Sequence, residues 1–139
     1  MKKNILIIVL FISGIITSFA QETYTVTVNF TGMDNDKGKL MVAIYNSENT
    51  FLRKGYKGSV AAIKDKKATV IFKDIPKGVY AVSCFHDENN NKKMDTRIFG
   101  IPKEAYGASN DAKGFMGPPK YEDAKFNVTE DKTLTIKVN

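Results

Sequence analysis

Val79-Tyr80-Ala81-Val82-Ser83-Cys84-Phe85-His86 places Tyr80, Val82, Cys84 and His86 on one side of an extended chain and Val79, Ala81, Ser83 and Phe85 on the other. Apolar groups on both sides are expected of a central strand covered on both faces. Upstream, Asp74-Ile75-Pro76-Lys77-Gly78 is a turn pattern, with Pro fixing φ and Gly free to take a positive one. Downstream, His86-Asp87-Glu88-Asn89-Asn90-Asn91-Lys92-Lys93-Met94-Asp95 carries oxygen-bearing side chains at alternate positions and one more four residues on.

Further strands flank this centre. Tyr24, Val26, Val28 and Phe30 alternate with Thr25, Thr27 and Asn29, and Leu40, Val42 and Ile44 alternate after the polar turn at 34–38, so the two runs are expected to pair as a hairpin. Asn46 to Leu52 opens with cap-type residues and predicts one helical turn laying Phe51 and Leu52 over the open end of the core. Ser59–Ile63, Ala68–Phe72, Ala124–Val128 and Thr133–Val138 complete about seven short strands with no long helix. The predicted fold is an all-β sandwich, Greek-key/immunoglobulin-like or transthyretin-like, in a single domain over 21–139. Between Thr96 and Asp123 periodicity is lost, and Gly and Pro recur. Ile98, Phe99, Ile101, Tyr106, Phe115, Met116 and Tyr121 make that excursion too apolar for disorder, so it is expected to fold back on the sandwich as a packed loop.

Residues 1–20 read as a cleaved export signal: Lys2 and Lys3 precede an apolar run from Ile5 to Ile16, and Ser18-Phe19-Ala20 leads to a mature start at Gln21. The run is too short to cross a bilayer comfortably, so no transmembrane segment is expected after cleavage, and no Cys follows to take a lipid anchor. The expected location is the periplasm or the extracellular space. Without Lys2 and Lys3, 19 of the 21 basic residues remain against 15 acidic ones, and the two signs are interleaved as in Lys64-Asp65-Lys66-Lys67. That pattern is a solvated face, and a nucleic-acid partner is not expected. The lone cysteine, Cys84, excludes an internal disulfide and falls on the apolar parity of the central strand as a small core residue.

Counted from Asp87, oxygen side chains stand at the first, third, fifth and ninth positions: Asp87, Asn89, Asn91 and Asp95. The backbone carbonyl of Lys93 falls at the seventh. This resembles the ligand order of calcium loops, in which a hard cation takes six to eight oxygens. Lys92 stands where a glycine normally makes the sharp turn, at a cost of about 1–2 kcal/mol for a positive φ. Ile98 stands where a bidentate Glu would be, so another carboxylate must close the shell, and Glu104 is the first choice. Weak affinity, about 0.1–1 mM, is expected for Ca2+ held by so few carboxylates beside two lysines. An Asn-rich loop closed by Asx turns without metal is the alternative. On the calcium reading, alanine at Asp87 should lower the melting point in calcium and leave the metal-free one nearly unchanged.

A Ser, His and Asp constellation needs the His to reach both partners, and the only His, His86, is the neighbour of Asp87 on a strand, where adjacent side chains point apart. No catalytic residue is therefore assigned, and Gly-rich phosphate loops are absent. A non-enzymatic binding or structural module is expected, its surface serving a protein, peptide or glycan ligand. The alternative is a hydrolase using acidic residues on the 96–123 loop, where Glu104, Glu122 and Asp123 are the candidates.

Pro76-Lys77-Gly78-Val79-Tyr80-Ala81-Val82, His86 to Asn91, Lys93-Met94-Asp95, Phe99 to Gly107, Ser109-Asn110 and Pro119 with Glu122-Asp123-Ala124 resemble an exported bacterial family, catalogued as domain of unknown function 2141 (DUF2141). The resemblance spans nearly all of the mature chain, with Lys92 replacing a glycine and Ala108 an aromatic of the family pattern. It implies a small exported β-sandwich and brings no activity with it. The Pro-x-Gly-x-Tyr segment is also similar to the strand entry of transthyretin-like and carboxypeptidase-regulatory sandwiches. Hydroxyisourate hydrolases of that fold use several histidines, and this chain has one.

Overall fold

A computed structural model describes residues 20–139, so the expected leader lies, but for Ala20, outside the described residues. Eight strands follow: β1 (Thr23–Thr31), β2 (Lys39–Tyr45), β3 (Lys57–Ala61), β4 (Ala68–Pro76), β5 (Gly78–Asp87), β6 (Tyr106–Ala108), β7 (Phe126–Val128) and β8 (Lys132–Lys137). One helical turn, α1, covers Tyr121–Ala124, and short 3-10 turns occupy Glu48–Thr50, Ile98–Gly100 and Ser109–Asp111. One sheet has the order β4-β1-β8, with β1 antiparallel to β4 and parallel to β8. The other has the order β3-β2-β5-β6, and β7 lies against the start of β5. The chain is an all-β sandwich, and β5 is its central strand.

Period-two alternation decides which side chains meet between the sheets. Val26, Val28 and Phe30 of β1, Leu40, Val42 and Ile44 of β2 and Val82 and Cys84 of β5 all enter one core, with Ile136 of β8 and Val138 just beyond it. On the opposite face of β5, Ala81 is covered by a second cluster of Tyr45, Phe51, Ala108, Tyr121 and Ala124. The rings of Tyr45 and Phe51 meet edge-on at 5.2 Å, and those of Phe51 and Tyr121 at 5.7 Å. The outer cover is confined to the middle of β5, since Val79 is exposed and Phe85 half-buried.

Several local expectations are corrected. β1 and β2 form no hairpin: they belong to opposite sheets, and the connection between them buries Met33 at one end of the core. Alternation assigns each strand an inward face and is silent on its partner, so two consecutive runs facing one core suit opposite sheets equally well. β4 continues through the expected turn to Pro76, because a bulge with Asp74 at φ 55° returns Ile75 to full burial. Phe51 caps the outside of a sheet rather than the end of the core, and Leu52 is exposed. The excursion holds an eighth strand, β6, on the free edge of β5, and packs Tyr121. Its Ile98, Phe99, Ile101, Phe115 and Met116 do not join the core; they are exposed.

Candidate functional site

The 87–95 loop is mounted on the buried end of β5. His86 is fully buried; its Nε2 lies 2.6 Å from the Lys37 carbonyl, which can only accept, so Nε2 carries the hydrogen. Nδ1 of the same ring is buried without a partner. The His86 amide donates to the Ala105 carbonyl at 2.8 Å, tying the strand to the far side of the excursion.

Asp87 is 1% exposed, and its two oxygens accept the backbone amides of Asn91 at 3.1 Å and Lys92 at 2.9 Å. Those bonds draw the chain into a tight turn in which Asn90 takes φ 56° and Lys92 takes φ 62°. Lys92 thus adopts the left-handed conformation for which glycine is favoured. Two local side-chain turns continue the loop: Asn89 Oδ1 accepts the Asn91 amide at 3.2 Å, and Asn91 Oδ1 accepts the Lys93 amide at 3.0 Å.

Asp95 is the point of convergence. Its carboxylate accepts Asn89 Nδ2 at 2.6 Å and Asn91 Nδ2 at 2.8 Å, while its own amide donates to Glu104 Oε2 at 3.1 Å. The bonds from Asn91 and then Asn89 hold the Asp95 carboxyl below the usual carboxylate range. Its carbonyl accepts the Lys103 amide at 2.8 Å, so the chain leaves Asp95 and returns beside it. Glu104 Oε1 is buried with no partner.

Asp87, Asn89, Asn91, Asp95 and Glu104 are therefore joined in one hydrogen-bonded group that includes the Lys93 backbone. A hard cation would find carboxylate and amide oxygens here and no soft donor, which suits Ca2+ better than a transition metal. Among the described residues no three His, Cys, Asp or Glu side chains lie close enough together to hold a metal, so a site here would depend on the amide oxygens as well.

The remaining acids do not join this group. Glu122 pairs with Lys125 at 2.6 Å across α1, an exposed contact of small energetic weight. α1 packs by Tyr121 and Ala124 against Ala81, toward the start of β5, whereas Glu104 stands at the end of that strand.

Two positions have roles that the sequence reading does not assign. Ser109 is fully buried: its hydroxyl accepts the Val82 amide at 2.9 Å and donates to the Ala124 carbonyl at 2.5 Å, clamping α1 to β5. Both capacities of that oxygen are used structurally. Asp36, on the β1–β2 connection, accepts the amides of Lys66 at 2.7 Å and Asp65 at 3.0 Å and so holds the 64–67 turn.

Cys84 lies in the core, and burial pushes its thiol up from 9.0 to about 12. A folded-state value above the unfolded one means the neutral thiol stabilises the fold below pH 9, and that contribution is lost as pH rises from 9 toward 12. At pH 9 iodoacetamide should leave Cys84 unmodified in native buffer and alkylate it fully in guanidinium. Equal labelling rates under the two conditions would contradict the buried thiol.

The fold and this loop define a class: a two-sheet β-sandwich with a hydrogen-bonded, Asx-turn loop on its central strand. Residues 28–137 match the family model described as "Uncharacterized protein conserved in bacteria (DUF2141)", and the chain belongs to that family. No curated protein and no solved structure matches it. No helix among the described residues is long and apolar enough to cross a membrane.

Proposed function

We propose that this is an exported, non-enzymatic binding or structural module whose 87–95 loop takes up Ca2+ with Glu104 and so fixes the 96–123 excursion against the sandwich. Its surface would serve a protein, peptide or glycan ligand. The observation that carries the reading is the Glu104 carboxylate, one oxygen bound to the Asp95 amide and the other buried with no partner. A buried acceptor left unsatisfied is costly, and a cation would satisfy it. Side-chain oxygens would come from Asp87, Asn89, Asn91, Asp95 and Glu104, and a carbonyl from Lys93. The ion would add positive charge beside Asp95, whose carboxylate now accepts the amide hydrogens of Asn89 and Asn91 and feels Lys103 and Lys93 at longer range.

Thermal melts of the mature chain in chelator and in a few millimolar calcium test the proposal. At a few times the dissociation constant the ion should add about 1 kcal/mol, a rise of about 4 °C. Glu104→Gln keeps an acceptor for the Asp95 amide, so it should melt near the parent in chelator and lose most of the rise. Identical melts of the parent with and without calcium would overturn the reading.

A further inference from the structure

Residues 96–102 form a small hairpin closed by the antiparallel pairing of Thr96 with Pro102, with the Arg97 amide on the Ile101 carbonyl at 2.7 Å and the Gly100 amide on the Arg97 carbonyl at 3.2 Å. Its apex is apolar and turned to solvent: Ile98 is 77% exposed, Phe99 97% and Ile101 57%. Phe99 also takes φ 65°, in the left-handed region that a bulky residue rarely occupies. It therefore lends the fold no burial while imposing backbone strain, so nothing in the packing of this chain accounts for a phenylalanine there.

The surroundings of the apex indicate what would receive it. Lys92, Lys93, Arg97 and Lys103 are all exposed in the segment 92–103, whose only acid is Asp95. Asp95 and the adjoining Glu104 are both engaged in the loop network. Four cations against these two carboxylates leave the chain flanking the apolar apex with net positive charge. We infer that this hairpin inserts Ile98, Phe99 and Ile101 into the surface of an anionic lipid bilayer while the four cations meet the headgroups. A protruding point buries little area against another folded protein, where stable interfaces need about 1,200 Å² or more. A lipid phase surrounds such a point, and each nearby Lys or Arg strengthens attraction to an anionic leaflet by about fivefold. The inference does not rest on calcium.

The chain has no tryptophan, so Phe99→Trp supplies a single reporter at the apex. Sedimentation and Trp fluorescence of the mature protein would be measured in chelator with vesicles of phosphatidylcholine alone and with about one third phosphatidylglycerol. Binding to the anionic vesicles, weakened by salt and accompanied by a blue shift, is expected. Phe99→Ser should weaken binding of the parent about tenfold or more, given what burying a Phe contributes, with no loss of melting temperature. Paired Lys92→Gln and Lys93→Gln substitutions should weaken it as well. Three results would overturn the inference: no binding to anionic vesicles, binding without a blue shift that Phe99→Ser leaves intact, or self-association of the protein that Phe99→Ser abolishes in the absence of lipid.

Discussion

Gly38→Ala is expected to destabilise the mature chain by more than about 3 kcal/mol and to lower its melting temperature by more than about 10 °C. Gly38 sits at φ 65° just before β2, where that strand pairs with the end of β5 through Lys39 and Asp87. A Cβ there would overlap the Asp87 carbonyl oxygen and stand 2.7 Å from Glu88 Cα and 2.8 Å from the Asp87 carbonyl carbon. All three atoms are backbone, so relief requires β2 and β5 to part at the residues that launch the loop. The contact between His86 and the Lys37 carbonyl, one residue away, would be disturbed in the same movement.

Gly100→Ala is the built-in comparison. Gly100 has φ 71°, yet a Cβ on it would meet nothing within 4 Å. Only the backbone penalty applies, about 1–2 kcal/mol, and it falls on an exposed hairpin that can relax. Urea melts of the two variants separate strain from collision. Equal losses would show that β2 does not approach β5 as closely as described. The expected loss at Gly38 is a large fraction of the stability of about 5–15 kcal/mol that a domain ordinarily has.

What could be read from the sequence and what could not follows from how local each interaction is. The alternation at 24–30, 40–44 and 79–86 reports burial, a property of single residues, and those runs are strands facing one core. Strand partners depend on distant chain, and so the β1–β2 hairpin was expected where β1 in fact lies between β4 and β8. The Asx turns, the alternative drawn from the sequence, were legible because their bonds span two to five residues: the oxygens of Asp87, Asn89 and Asn91 reach amides only a short way ahead. The role of Ser109 was not legible, since its partners Val82 and Ala124 are 27 and 15 residues away, and the Ser109-Asn110 motif marks the position without naming them. Apolar content misled in the excursion. It counts surface that could be buried, and the tips at Phe99 and Phe115 leave theirs in water.

Asp87→Ala should lower the melting temperature in chelator by about 10 °C, corresponding to about 3 kcal/mol. This reverses the expectation drawn from spacing alone, in which Asp87 served the ion and the metal-free protein would scarcely notice its loss. Asp87 is buried, and both of its oxygens already hold backbone donors, the amides of Asn91 and Lys92. Alanine would leave those two amides unpartnered and remove what holds Lys92 at φ 62°. Hydrogen bonds to a charged group contribute about 1.5–3 kcal/mol each, and an edge loop that can open to water places the pair near the lower end of that range. Asp87→Asn keeps one acceptor and turns an N–H donor toward the other amide, so it should fall between the parent and the alanine variant. Melting all three in chelator gives the order. If the alanine variant melted with the parent, the carboxylate would not be organising the metal-free loop. The expected order makes Asp87 unsuitable for isolating ion binding, because its substitution disturbs the loop before any cation arrives. Glu104, whose free oxygen has no partner to lose, is the residue whose change separates the two effects.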